Sequence, residues 1–124
     1  MTQKILIVDD EPNIVTSLEF LMQRSGYEVS VAADGEQALQ QMASFQPDLV
    51  LLDVMLPVRS GFEVCQKIRE NSDWNHVKVV MLSAKGRDLD VSKGMALGAN
   101  AYVTKPFSTK ELIEQVRQLL ARAP

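Results

Sequence analysis

Apolar residues follow two rhythms along this chain. The first is a set of short, almost unbroken runs: Lys4–Val8, then the alternating Glu28–Ala32, then the stretch between Pro47 and Pro57, then Val77–Leu82, then Ala101–Thr104. Each is too short for a typical helix and rich in Val, Ile or Leu, which predicts strands, most of them buried on both faces. The second rhythm lies between them. Ile14, Leu18, Leu21 and Met22 recur at i, i+4, i+7 and i+8, and Ala38, Leu39 and Met42 form a similar stripe. So do Phe62, Cys65 and Ile68, with Val64 beside them, and Leu112, Val116, Leu119 and Leu120. That spacing marks one face of an amphipathic helix.

The punctuation agrees with this reading. Pro12 suits a first helical turn, where its missing N–H has no partner to lose, and Gly26 suits a C-terminal cap. Asp34-Gly35 opens the second helix, and Ser60 or Gly61 the third. Ser108 and Glu111 have the spacing of a capping box for the last. A weaker helix is expected over about Leu89–Leu97, ended by Gly98; Gly86 and Gly94 lower its propensity. Glu70–His76 is polar apart from Trp74 and reads as a loop. Strand and helix thus alternate five times, with no repeat or linker. This implies an α/β fold: a doubly wound parallel sheet with helices on both faces. Ligands in such sheets bind at the carboxyl ends of the strands.

Composition narrows the function. The chain has 124 residues, the size of one domain (residues 1–124), and is 46% apolar. A net charge of −3 argues against direct nucleic-acid contact or anionic-membrane binding by this domain. No apolar run approaches the roughly 18 residues of a membrane span, and Met1–Lys4 leads straight into a strand with no secretory signal. Cys65 is the only cysteine, which suits a cytoplasmic location and a buried, unreactive thiol. His76 is the only histidine and is expected in a surface loop, so no His/Cys metal cluster can form.

The chemistry sits at the strand ends. The first predicted strand stops at Asp9-Asp10 and the third carries Asp53 near its end; the fourth stops at Ser83 and the fifth at Lys105-Pro106. In a parallel sheet these groups share one edge. Three carboxylates that close together need a cation, and hard oxygen ligands suit Mg²⁺. With the Lys105 ammonium and the Ser83 hydroxyl, the set forms a cradle for a phosphoryl group, for which a carboxylate is a competent covalent acceptor. Simpler roles exist for each residue alone: Asp53 as a turn cap, Asp10 as a helix cap before Pro12, Ser83 and Lys105 as loop residues. Their joint placement at one edge favours the site.

The motifs carrying these residues are Ile5-Leu-Ile-Val-Asp9-Asp10-Glu11, Pro47-Asp-Leu-Val-Leu-Leu-Asp53-Val-Met55-Leu-Pro57, Gly61-Phe-Glu63, Val80-Met-Leu-Ser83-Ala84 and Gly98-Ala-Asn-Ala-Tyr102-Val-Thr-Lys105-Pro106-Phe107. In that order they resemble the receiver domain of bacterial two-component response regulators, the family of the chemotaxis response regulator, over the whole chain. The resemblance implies a flavodoxin-like (βα)5 sheet with strand order 2-1-3-4-5. It implies Asp53 as phosphoacceptor for a partner histidine kinase or phosphotransfer protein. Asp10 would bind Mg²⁺ directly, Asp9 through water, and Met55 through its backbone carbonyl. Ser83, the Ala84 N–H and Lys105 would contact the phosphoryl oxygens. Ser83 and Tyr102 would couple phosphorylation to the face of the fourth helix, fifth strand and fifth helix, where a downstream output domain or protein binds. A cis Lys105–Pro106 peptide is also implied.

Three departures stand out. Ser60 precedes Gly61 where the family often has an acid or amide, and it caps a helix equally well. Ser83 replaces the commoner threonine. Asn100-Ala101 stand where winged-helix regulators usually carry acids that belong to salt bridges within the family's dimers, which leaves dimerisation on that face open. A Mg²⁺-dependent aspartyl phosphohydrolase is disfavoured, because the position two residues after the nucleophile is Met55, which cannot transfer protons. A flavin or nucleotide binder would need glycines after the first strand, where this chain has Asp-Asp-Glu-Pro. A receiver that only docks partners would not need all five polar groups. The resemblance also implies that the domain catalyses its own phosphorylation and dephosphorylation and does not turn over an external substrate.

Overall fold

The computed structural model describes residues 2–83 and 88–121. Five strands form one parallel sheet in the order β2-β1-β3-β4-β5. They are β1 (Lys4–Val8), β2 (Glu28–Ala32), β3 (Leu49–Asp53), β4 (Lys78–Ser83) and β5 (Ala101–Thr104). The helices are α1 (Pro12–Arg24), α2 (Gly35–Ser44), α3 (Gly61–Glu70), α4 (Asp88–Ala96) and α5 (Thr109–Ala121). The expected fold class and strand order are both present.

The central strands alternate their side chains between two cores, as the period of two requires. Leu6, Val8, Val50, Leu52, Val79 and Met81 meet Ala38 and Met42 of α2 and Val64, Cys65 and Ile68 of α3. Ile5, Ile7, Leu49, Leu51, Val80 and Leu82 meet Leu18 and Met22 of α1 and Leu112, Val116 and Leu119 of α5. Every residue of β3 is buried, which is why its sequence reads as an unbroken apolar run.

Local chemistry sets the helix ends. The Asp34 carboxylate accepts from the Gln37 N–H at 2.8 Å, and the Ser60 hydroxyl accepts from the Glu63 N–H at 3.2 Å. The Ser108 hydroxyl accepts from the Glu111 N–H at 3.3 Å. Neither Asp10 nor any other side chain caps α1. Its N-cap is Glu11, and Pro12 supplies the entry geometry instead. The segment expected as a loop holds one 3-10 turn, Ser72–Trp74, because the Asn71 side chain accepts from the Asp73 N–H. Asn100 is structural as well: its side-chain amide oxygen accepts from Val79 N–H and from Arg69 Nη2, both at 2.8 Å. Arg69 also donates to the Gly98 carbonyl, so α3 is pinned to the turn between α4 and β5.

Candidate phosphoryl and cation site

Strand order decides the site. β1 and β3 are neighbours, with Val8 opposite Leu52, so Asp9 and Asp53 follow side by side at the edge where the chain reverses its winding direction. Asp9, Asp10 and Asp53 each bring a carboxylate oxygen within 4.8 Å of the other two. Asp9 and Asp53 are buried and Asp10 is exposed, so the cluster has a dry floor and one ligand reaching to solvent.

Lys105 reaches the same edge from beyond β5. Its Nζ lies 2.8 Å from Asp9 Oδ2 and 3.7 Å from Asp53 Oδ1. Glu11, to which the motif reading gave no role, is 3.7 Å from the same ammonium, and its place directly after Asp9-Asp10 was the available signal. The Asp9 Oδ1 atom accepts from the Glu11 N–H at 3.0 Å. Ser83 ends β4 and is buried, and its carbonyl accepts from the Lys105 N–H at 2.5 Å, which ties the lysine's backbone to the site. The Lys105–Pro106 peptide is cis. Ala84 lies outside the described residues.

The electrostatics mark Asp53. Its pKa is pushed up from 3.8 to about 6, first by burial and then by the Asp9 charge. Lys105 and the Met55 N–H, which donates to Asp53 Oδ1 at 3.3 Å, oppose that rise without cancelling it. Burial pulls the Lys105 pKa down, but its bond to Asp9 and the charges of Asp53, Asp9 and Glu11 outweigh burial and leave it raised. Among the described residues, the one ammonium thus stands against three carboxylates, with Asp10 a further acid in the cluster. A site in surplus negative charge, with oxygen donors only, fits a hard divalent cation.

Tyr102 lies on β5, partly buried, its ring beside Gly94 of α4 and Met81 of β4. Its hydroxyl is buried with no hydrogen-bond partner among the described residues. Cys65 is buried, its Sγ is 3.7 Å from the Leu97 carbonyl, and burial pushes the thiol pKa up, which suits an inert core residue. His76 is exposed after the 3-10 turn, at the opposite edge of the sheet.

Comparison with known proteins supplies the family. The description "Response regulator receiver domain" matches residues 5–117. The chain belongs to the response regulator receiver domain family. It is 46% identical over 123 residues to the alkaline phosphatase synthesis transcriptional regulatory protein PhoP of Bacillus subtilis (strain 168), covering 99% of this chain and 50% of that protein. The chain thus spans about half the length of that curated relative. Among solved structures, the BeF3-activated receiver domain of DrrB is 36% identical with a TM-score of 0.88, covering 98% of this chain and 100% of that one. A chemotaxis response regulator of Vibrio cholerae, CheY4, is 31% identical with a TM-score of 0.90, covering 96% of this chain and 99% of that one. Receiver domains of two-component systems act as phosphorylation-dependent signalling switches, and the acidic edge of this receiver domain is compatible with Mg²⁺. Among the described residues, no helix is long and apolar enough to cross a membrane.

Proposed function

We propose that residues 1–124 act as one receiver unit in which Asp53 accepts a phosphoryl group from the phosphohistidine of a sensor kinase or phosphotransfer protein. The observation that carries this reading is the meeting of Asp53 with Asp9, Asp10 and Lys105 at one edge of the sheet. Asp9, Asp10, Asp53 and the Met55 carbonyl would hold Mg²⁺. The ion, when bound, supplies positive charge to the phosphoryl oxygens.

The chain's own groups do the rest. With a pKa near 6, Asp53 is mostly ionised at neutral pH and serves as the nucleophile. A carboxylate oxygen forms the new O–P bond as the P–N bond to the donor imidazole breaks. Lys105 sits 3.7 Å from the attacking carboxylate, placed to take up charge on the transferred group, and Ser83, buried at the end of β4, would add a hydroxyl donor. Water later cleaves the acyl phosphate, so the domain modifies and restores itself.

The output follows from the new charge. Lys105 exchanges its Asp9 partner for phosphoryl oxygens and Ser83 is drawn inward. Tyr102, whose hydroxyl has no partner among the described residues, repacks, and the α4–β5–α5 face changes its affinity for an output domain or protein. That face would also serve a dimer, but with Asn100 engaged by Arg69 and Val79 a pairing there would need other contacts.

The test is incubation with acetyl phosphate or a phosphohistidine donor in Mg²⁺. One base-labile phosphoryl group should appear and should be absent from Asp53→Asn. Undiminished labelling of that variant at Ser83 or His76 would sink the aspartyl mechanism.

A further inference from the structure

The loop that follows the phosphoacceptor strand is held in a conformation its own residues disfavour. It closes on itself: Val54 N–H donates to Leu82 in β4 at 2.9 Å, and the Val54 carbonyl accepts from the Gly61 N–H at 2.9 Å. Between those points the Arg59 N–H donates to the Pro57 carbonyl, two residues back, at 2.8 Å, and Val58 at the centre has φ of +71°. A three-residue turn with positive φ at its centre is the rare, strained member of its class. A β-branched side chain in that region is an outlier. Val58 is 76% exposed, so its own burial does not offset the strain. Strained backbone of this kind persists only where surrounding structure over-determines it.

The surrounding structure is Arg59. Its Nε lies 2.8 Å from Glu36 in the first turn of α2, and its Nη1 lies 2.5 Å from Glu63 in the first turn of α3. Its main chain is wedged as well. A Cβ on Gly35 would stand 2.6 Å from Arg59 Cβ and 2.9 Å from its carbonyl oxygen, and a Cβ on Gly61 would stand 2.1 Å from the Asp53 carbonyl oxygen. Two glycines thus let the loop press against α2 on one side and the end of β3 on the other. At the start of the same loop, the Met55 N–H donates to Asp53 Oδ1.

We propose that Arg59 is a positioning residue for the cation site. By bridging the first turns of α2 and α3 it holds the Val58 turn closed, and the closed turn holds the Met55 backbone against Asp53 in the arrangement that binds a divalent cation. The proposal rests on the reading of Asp9, Asp10 and Asp53 as that cation's ligands. Two pairs to one planar guanidinium constrain the loop more than a lysine, which offers a point charge on a flexible stem. Because both pairs are exposed, each contributes modestly. Removing them lowers the fraction of closed loop, and the apparent affinity falls by that fraction.

Electrostatics alone predicts the opposite sign. Arg59→Gln removes a positive charge and frees two carboxylates, which through space would strengthen the attraction for Mg²⁺. Mg²⁺ alone is titrated into the chain while the amide resonances of Asp10, Met55 and Gly61 are followed. Arg59→Gln should weaken binding about threefold to tenfold, and Arg59→Lys should fall between it and the native chain. Gly35→Ala, which leaves the charges alone, should also weaken binding by displacing Arg59. Val58→Gly, which removes the strain, should restore the Arg59→Gln variant to within about twofold of the native affinity. Without Mg²⁺, the amides of position 59 and Gly61 should exchange faster in Arg59→Gln and return toward native rates in the double variant, while the β-sheet amides stay unchanged. Equal or tighter Mg²⁺ binding by Arg59→Gln overturns the proposal, as does failure of Val58→Gly to rescue. A native chain that binds no Mg²⁺ overturns the cation-site reading itself, a result distinguishable because it needs no variant.

Discussion

Asp53 is a burden on the metal-free fold, and removing its charge should make the protein more stable. The residue is 4% exposed, and its carboxyl is raised from 3.8 to about 6 by burial and by Asp9. A carboxyl whose pKa is higher in the folded state binds its proton more tightly there than in the unfolded chain. Its favourable contribution is therefore complete below pH about 3.8 and is lost as the pH rises through about 6. The gap, at about 1.4 kcal/mol per unit of pKa, amounts to about 3 kcal/mol at neutral pH. Asp53→Asn keeps the acceptor for the Met55 N–H, keeps the volume, and offers an amide to neighbouring carboxylates. Lys105 remains paired to Asp9 at 2.8 Å. The variant should thus gain about 2–3 kcal/mol at pH 7.5 in a metal chelator, a rise in Tm on the order of 10 °C for a chain of this size. Urea unfolding across pH 4–8 checks it: the two curves should converge near pH 4 and separate through pH 6. Mg²⁺ should narrow the gap from the other side by stabilising the native chain more than the variant. A variant no more stable than the native chain at pH 7.5 without metal, or a difference that does not vary with pH, would refute the assignment of strain to the Asp53 charge.

Three further outcomes follow from the geometry. Asp10→Ala should remove most Mg²⁺ affinity in the amide titration with little effect on folding, since Asp10 is the exposed member of the cluster; native affinity in that variant would move the ligand role elsewhere. Tyr102→Phe should raise stability by about 1 kcal/mol, because it deletes a buried hydroxyl that has no partner among the described residues; a loss seen in denaturant unfolding would show that the hydroxyl is bonded. Beryllofluoride, a tetrahedral anion standing in for the phosphoryl group on Asp53, should shift amides in α4, β5 and the first turn of α5 far more than those of Leu39–Ser44, and Ser83→Ala should mute the response at Tyr102. Equal shifts on both faces would count against output through α4–β5–α5.

The sequence determined by itself what depends on near neighbours in the chain. Strand and helix identities follow from periods of two and 3.6, and the caps at Asp34, Ser60 and Ser108 bond within three residues of themselves. The acids, hydroxyl and lysine at the strand ends were equally legible, because a parallel sheet puts like ends of strands at one edge. Local reading passed over the 3-10 turn at Ser72–Trp74, which one side-chain bond from Asn71 creates. Only the tertiary structure decided relations across long stretches of chain. Asp9 meets Lys105 from the far end of the sequence, and it meets Asp53 because β3 rather than β2 covers that side of β1. The rise of the Asp53 pKa needs the burial that those neighbours supply. Arg59 read as an ordinary loop residue, since nothing within a few positions announces that Glu36 will stand opposite it or that Gly35 will leave room for it. Val58 gave no sign of a positive φ either: a β-branched residue points locally toward extended backbone, and only contacts from two helices can hold it in the turn.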